Sequence, residues 1–345
     1  MLDAIGMRRL GASLAAGCLA CLGAAGPGSG AAAATGPAPA ELSPLVVRID
    51  AGGGTYILYE PVVVTCAVSN RADHAIVADL PTPLIARALR LYVTPRYGEP
   101  AAYDPGEGDE AAGNGPRSFP PGPIGTGTIL MFQDGRSADL AFPEIGRYVI
   151  EGVLAAPGAD PAAGPRGRAS IEVVKPTWTD WAAIDFLGGV ERLKSILGDG
   201  PAAHCDRAGA DAGDCYRGLE EMVARYPGSA YAPAIAYLLA IAYAREAERV
   251  AAADDRPAGA GDIVRRTGEL QDRSNRLLAG FLERYPDHAL APEAHRARIV
   301  GLLDSRREVE ARQALKQFVE RYPERLRTSE EFRARLGIDG TASRR

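Results

Sequence analysis

The sequence is short of the residues that most often carry chemistry. Four histidines stand at 74, 204, 288 and 295, and His288 and His295, seven apart around a helix start, have no companion at metal-ligand spacing. No Gly-x-Ser-x-Gly elbow, no Lys-Ser/Thr phosphate loop and no His-Glu-x-x-His helix occurs, which removes the hydrolases, nucleotide enzymes and zinc proteases that such motifs announce. Gly52-Gly53-Gly54-Thr55 lacks both a lysine and a following helix, and reads as a turn between strands. Charge of one sign is also lacking: 39 basic residues against 44 acidic ones give a net charge of -5, so there is no electrostatic case for nucleic acid or an anionic membrane. No apolar run is long enough to predict a permanent membrane span. Asp104, Glu107, Asp109 and Glu110 do not follow the twelve-residue calcium loop. The expectation is therefore no metal, no cofactor and no catalytic residue, with a hydrolase assembled from scattered residues as a remote alternative.

Five cysteines are present. Cys18 and Cys21 fall in an amino-terminal segment that reads as an export signal: Arg8-Arg9, a stretch from Leu10 to Ala25 rich in Ala and Gly, then a small-residue tail with the cleavage-like triplet Ala38-Pro39-Ala40. Ala15-Ala16-Gly17-Cys18 also resembles a bacterial lipobox, which makes Cys18 a candidate lipid anchor. Residues 1–40 are thus expected to export the chain to the periplasm or the exterior. Cys205 and Cys215, ten apart around a polar segment, are expected to form a disulfide in such a compartment, tying a linker helix to the first repeat helix. Cys66 lies mid-strand as a small buried hydrophobe.

From 41 to 176 the apolar spacing is that of strands. Seven candidates, 46–49, 61–68, 89–93, 128–132, 138–142, 148–154 and 169–174, are separated by Gly, Pro, Asn and Asp and predict a two-sheet β-sandwich. Tyr59-Glu60-Pro61-Val62-Val63-Val64 running to Val68-Ser69-Asn70, and Phe142-Pro143-Glu144-Ile145-Gly146-Arg147-Tyr148, resemble phrases of bacterial immunoglobulin-like domains. Residues 95–125 carry no period and are expected to be an irregular, mobile insertion.

From 177 to 340 the spacing turns helical. Ile184, Leu187, Val190, Leu193 and Leu197 predict a linker helix over 180–197, weakened by Gly188-Gly189. Trp178 and Trp181 at its start are expected to be buried where the two parts meet. Further helices are expected over 214–226, 231–248, 262–285, 291–304, 307–322 and 328–336. Three of them close on one phrase: Glu221-Met222-Val223-Ala224-Arg225-Tyr226-Pro227, Gly280-Phe281-Leu282-Glu283-Arg284-Tyr285-Pro286 and Gln317-Phe318-Val319-Glu320-Arg321-Tyr322-Pro323. The prolines end each helix, and Pro233 and Pro292 then suit the first turn of the next. The second and third tyrosines are 37 residues apart but the first and second 59, so the first interval holds about 20 extra residues, visible as Ala253 to Gly261.

This phrase resembles the linking segment of tetratricopeptide repeats (TPR) in bacterial envelope proteins, over roughly Asp214 to Leu336. The resemblance implies a short superhelix of helix pairs whose concave side grips another protein. The repeated Tyr226, Tyr285 and Tyr322 are expected to pack each helix end against a neighbouring unit. Leu219, Met222, Val223, Leu238, Ile241, Leu277, Leu278, Phe281, Leu315, Phe318 and Val319 are expected to point inward beside them. Tyr237, Tyr243, Arg245, His295, Arg296 and Arg298 are the candidate binding wall, aromatics and arginines giving the most contact energy per ordered side chain. The functional expectation is a non-catalytic, exported scaffold that holds a protein of the cell envelope or secreted fraction. The alternative is a polysaccharide-binding accessory that uses Tyr56, Tyr59, Tyr92, Tyr97 and Tyr103 as a stacking platform.

Overall fold

The computed structural model describes residues 42–52, 54–80, 88–104, 116–133, 139–155, 160, 163–209, 212–252, 260–323, 332 and 336. The export segment with Cys18, and Glu107, Asp109 and Glu110, lie outside them. The chain divides into two compact units between Lys175 and Pro176.

The first unit is made of strands: β1 (Leu45–Asp50), β2 (Thr55–Ile57), β3 (Val62–Asn70), β4 (Ile76–Asp79), β5 (Leu89–Pro95), β6 (Ala101–Tyr103), β7 (Pro116–Phe119), β8 (Gly122–Met131), β9 (Gly146–Leu154) and β10 (Arg166–Val174). They form sheets of order β1-β3-β8 and β2-β10-β9-β5-β6, with β4 and β7 as a separate pair. All pairings are antiparallel except β2 beside β10. Val47 and Ile49 of β1, Val64 and Cys66 of β3, Leu91 of β5, Ile150 of β9 and Val173 of β10 meet in one apolar core. Alternation puts these side chains on the inner faces. Burial pushes the Cys66 thiol up to about 12, so it serves as packing.

Two expectations for this unit are corrected. Of the strand expected over 138–142, residues 139–142 form no strand, since Leu140 makes only an isolated bridge to Gln133, and residue 138 lies outside the described residues. Residues 95–125 are not uniformly irregular: β6 pairs with β5, β7 pairs with β4, and β8 starts at Gly122. Their Gly- and Pro-rich composition hid strands whose hydrogen-bond partners lie on other segments.

The second unit holds eight helices among the described residues: α1 (Trp178–Leu187), α2 (Val190–Gly198), α3 (Gly200–Ala208), α4 (Ala212–Arg225), α5 (Tyr231–Ala252), α6 (Ala260–Arg284), α7 (Ala291–Asp304) and α8 (Glu308–Arg321). The expected linker helix is split, because Gly188 and Gly189 take φ of 88° and 109°, which end α1 and restart the chain as α2. The disulfide joins Cys205 to Cys215 but belongs to α3 and α4, not to the linker helix. Within the helical unit α1 turns Asp180, Ala183, Ile184 and Leu187 inward, and Trp178 and Trp181 are not among these inward residues. Of the extra residues of the wide interval, those from 253 to 259 lie outside the described residues. The helices on either side of them are long, α5 having 22 residues and α6 25 where α4, α7 and α8 have 14 each. Most of the expected helix 328–336 lies outside the described residues, but Phe332 and Leu336 are buried with Ile299, Leu315 and Phe318.

The three Arg-Tyr-Pro turns share one geometry. Each tyrosine amide donates to the carbonyl four residues back, at 2.9 Å (Met222), 2.8 Å (Phe281) and 2.9 Å (Phe318). Ser229 N then donates to Tyr226 O and His288 N to Tyr285 O. The second turn reaches back to the first: Tyr285 Oη donates to Pro227 O at 2.9 Å and Arg284 Nη1 to Val223 O at 3.4 Å. From the third turn, Arg321 Nη2 donates to Asp287 at 2.6 Å. Tyr226 instead meets Phe186 of α1 edge-on, with ring centroids 5.7 Å apart.

Asp180 ties α1 to the first turn. Its Oδ2 accepts from Thr177 N while its own amide donates to Thr177 Oγ1, forming the capping box of α1; Oδ2 also accepts from Thr177 Oγ1, and Oδ1 accepts from Ser229 Oγ at 3.0 Å and Ala230 N at 2.8 Å. Burial alone raises the Asp180 pKa, but the hydrogen bonds from Thr177, Ala230 and Ser229 outweigh it and hold the carboxyl below its ordinary value.

Candidate binding wall on α5 and α7

The six candidate wall residues fall into two groups. Helix α7 places Glu293, Arg296 and Val300 at steps of three and four on one side, each of them half-buried. Arg296 Nη1 donates to Glu293 Oε2 at 2.9 Å. Tyr237, on the same side of α5, is half-buried with its ring tilted against Phe281 at 6.3 Å. Its pKa is raised well above the ordinary value by burial first and then by Glu293, with Arg296 and Arg245 opposing. Tyr237, Arg245, Arg296 and Glu293 therefore share one electrostatic neighbourhood, in which Arg245 is exposed.

Tyr243, His295 and Arg298 lie elsewhere. Tyr243 is 1% exposed, its ring against Tyr216 at 5.0 Å; its Oη donates to Glu220 at 2.7 Å and accepts from Arg273 at 3.3 Å. Two α-helical turns past Tyr237 would keep a residue near the same face, but six positions turn Tyr243 toward α4 and α6. His295 is buried between Phe318 and Tyr322, at 6.1 and 5.8 Å, and its pKa is pushed down to about 4 by burial, then Arg298 and Arg321. Arg298 is half-buried one turn further on, and burial lowers its pKa against the opposing pull of Glu310. Both share their side of α7 with the core residues Ile299 and Leu302. Glu293 was missing from the sequence-based set, although its spacing of three before Arg296 is the helical ion-pair spacing that would have found it.

The tyrosines proposed as a sugar platform do not form a common surface. Tyr56 and Tyr103 are buried in the first core, Tyr92 and Tyr59 are half-buried, and Tyr97 is 87% exposed under the guanidinium of Arg96. Among the described residues no group of three His, Cys, Asp or Glu side chains could hold a metal ion. No helix of the described residues is long and apolar enough to cross a membrane.

No family model matches this chain, nor does any curated protein. Among solved structures it is similar to a β-glucosidase from Listeria innocua in complex with glucose, with 12% identity and a TM-score of 0.23 over 37% of this chain and 16% of that one. It is also similar to the sporulation control protein Spo0M from Bacillus subtilis, with 14% identity and a TM-score of 0.21 over 41% of this chain and 55% of that one. The chain thus spans under a fifth of the first protein and just over half of the second, and at these TM-scores the likeness carries no argument.

Proposed function

We propose that this is an exported, non-catalytic scaffold: an immunoglobulin-like sandwich followed by a short TPR-like array that holds another protein of the envelope or secreted fraction. The observation that carries the reading is the chain of bonds between successive Arg-Tyr-Pro turns, Tyr285 to Pro227 and Arg321 to Asp287. Bonds of this kind stack one helix pair on the next and leave the first helix of each pair, α5 and α7, to line a common wall. On that wall Tyr237 offers a rigid aromatic, and Arg245, exposed beside the Arg296–Glu293 ion pair, offers a guanidinium group for a partner's carboxylates. The parallel placement of β2 beside β10 supports the sandwich reading, since it lets an opening strand join the sheet of the last. Cys205–Cys215 supports residence in an oxidising compartment, with Cys18 retained as a candidate lipid anchor.

The test is capture from a native envelope and secreted extract by the full exported chain and by an Arg245→Glu/Arg296→Ala variant. A protein retained by the first and lost by the second, with the same unfolding midpoint in both, supports the wall. Equal retention by both shifts the partner surface away from α5 and α7.

A further inference from the structure

Buried polar atoms without partners lie on two sides of α7. Asn275 of α6 is 4% exposed, and neither its Oδ1 nor its Nδ2 meets a hydrogen-bond partner among the described residues. Its amide rests against α7, where a Cβ added to Gly301 would stand 2.8 Å from Oδ1. Within α7, His295 is 7% exposed and its Nδ1 is unpartnered in the same way. Such groups oppose the packing that encloses them, since they regain water when it opens. The apolar packing of α7 is one-sided as well. Ile299 and Leu302 share a core with Leu315 and Phe318 of α8 and with Phe332 and Leu336, and among the described residues that core includes none from α1 to α6. Ala294, Ala297 and Gly301, at steps of three and four, instead bring small side chains to the side of Asn275.

We propose that α7 and α8 form one cooperative unit that pivots against α6 about the turn at 285–290, parting the contact between Asn275 and Gly301 while the core they share stays closed. Across the contact Gln271 Nε2 reaches Gly301 O only at 3.4 Å, and Arg307 pairs with Asp272 at the surface, where an ion pair holds little. The bond from Arg321 to Asp287 joins α8 to the turn itself, so the pivot preserves it. Opening hydrates the Asn275 amide, and this gain offsets the small apolar area lost between the helices. The movement changes the spacing between Arg245 on α5 and Arg296 on α7. It thereby lets the wall fit partners of different outline; that use rests on the proposed wall, whereas the pivot does not.

Spin labels on Glu269→Cys of α6 and Glu308→Cys of α8, both exposed positions, read the pivot in the full exported chain. A second pair, on Glu248→Cys of α5 and Glu269→Cys, is the control. The first pair is expected to give a long distance beside a short one, and the control a single distance. Gly301→Ala, which drives a Cβ into the Asn275 amide, should raise the ratio of long to short about tenfold. Asn275→Leu keeps the branched outline but needs no hydrogen bond, and should lower that ratio about tenfold. In an Asn275→Ala background Gly301→Ala should change nothing, and all variants should keep the circular dichroism of the parent. A single distance for the first pair in both the parent and Gly301→Ala, a control that broadens in step with it, or a ratio indifferent to Asn275→Leu would each overturn the pivot.

Discussion

Each half of the molecule closes a span of 49 residues with one buried polar side chain. In the strands, Asn70 Nδ2 donates to Phe119 O, and in the helices Asp180 accepts from Ser229 Oγ. Asn70 is backed by ladders: β3 pairs along its length with β8, and β4 with β7, so its bonds to Phe119 and His74 add to contacts already made. Asp180 has no such ladder, because helices satisfy their own backbones and meet only through side chains. Long-range order is therefore shared among many bonds in the first half and concentrated in a few in the second.

The sharpest break of that comparison is Asp180→Ala, expected to cost about 3–5 kcal/mol, since the Thr177, Ser229 and Ala230 donors lose one charged acceptor together. Denaturant unfolding followed by tryptophan fluorescence reads this, because both tryptophans belong to the helical half. A loss under 1 kcal/mol would show that α1 is held by its apolar face alone. Acid should separate the halves as well. Burial holds His288 and His295 at about 4 in the folded chain, against an ordinary 6.5, so the stability they contribute is lost as pH falls from 6.5 toward 4. Asp180, depressed below its ordinary 3.8, adds its own loss only as pH falls below that value. Hydrogen exchange at pH 4.5 should then open α6 to α8 before β3 and β9; simultaneous opening would count against the distinction.

Reducing Cys205–Cys215, or replacing Cys215 with serine, should cost about 2–4 kcal/mol, read as a lower unfolding midpoint in the helical half. Asn70→Ala should cost about 1–3 kcal/mol in the first half, less than its counterpart Asp180, and a larger loss would mean that the ladders depend on it. The smallest effect compares two equivalent tyrosines. Tyr285→Phe removes the bond to Pro227 O and should cost about 0.5–1.5 kcal/mol. Tyr226→Phe, whose ring packs on Phe186, should fall within about 0.5 kcal/mol of wild type.

The same contrast decides what could be read from the sequence. Helix ends at 225, 284 and 321 were legible because proline acts locally, and so were the inward positions Leu219, Met222, Phe281 and Phe318, which follow helical spacing. β6 and β7 were not, because three or four residues acquire strand geometry only from partners up to 43 positions away, as Ile76 is from Phe119. Gly188-Gly189 was seen as a weakness, but whether glycine is tolerated or breaks a helix depends on the dihedral angles that packing selects. The six wall candidates divide by rotation: Arg296 and Arg298 are two apart in sequence, yet 200° apart on a helix puts one beside Glu293 and the other on the side of Ile299 and Leu302.

The single carboxylate of Asp180 also has a consequence in time. Between making Asp180 and making Ser229 the ribosome adds 49 residues, roughly 2–10 s of synthesis. Throughout that interval the Asp180 carboxylate has its Thr177 donors but lacks those of Ser229 and Ala230. The first helix of the array to be synthesised must therefore wait for the fifth to begin before it can be fixed.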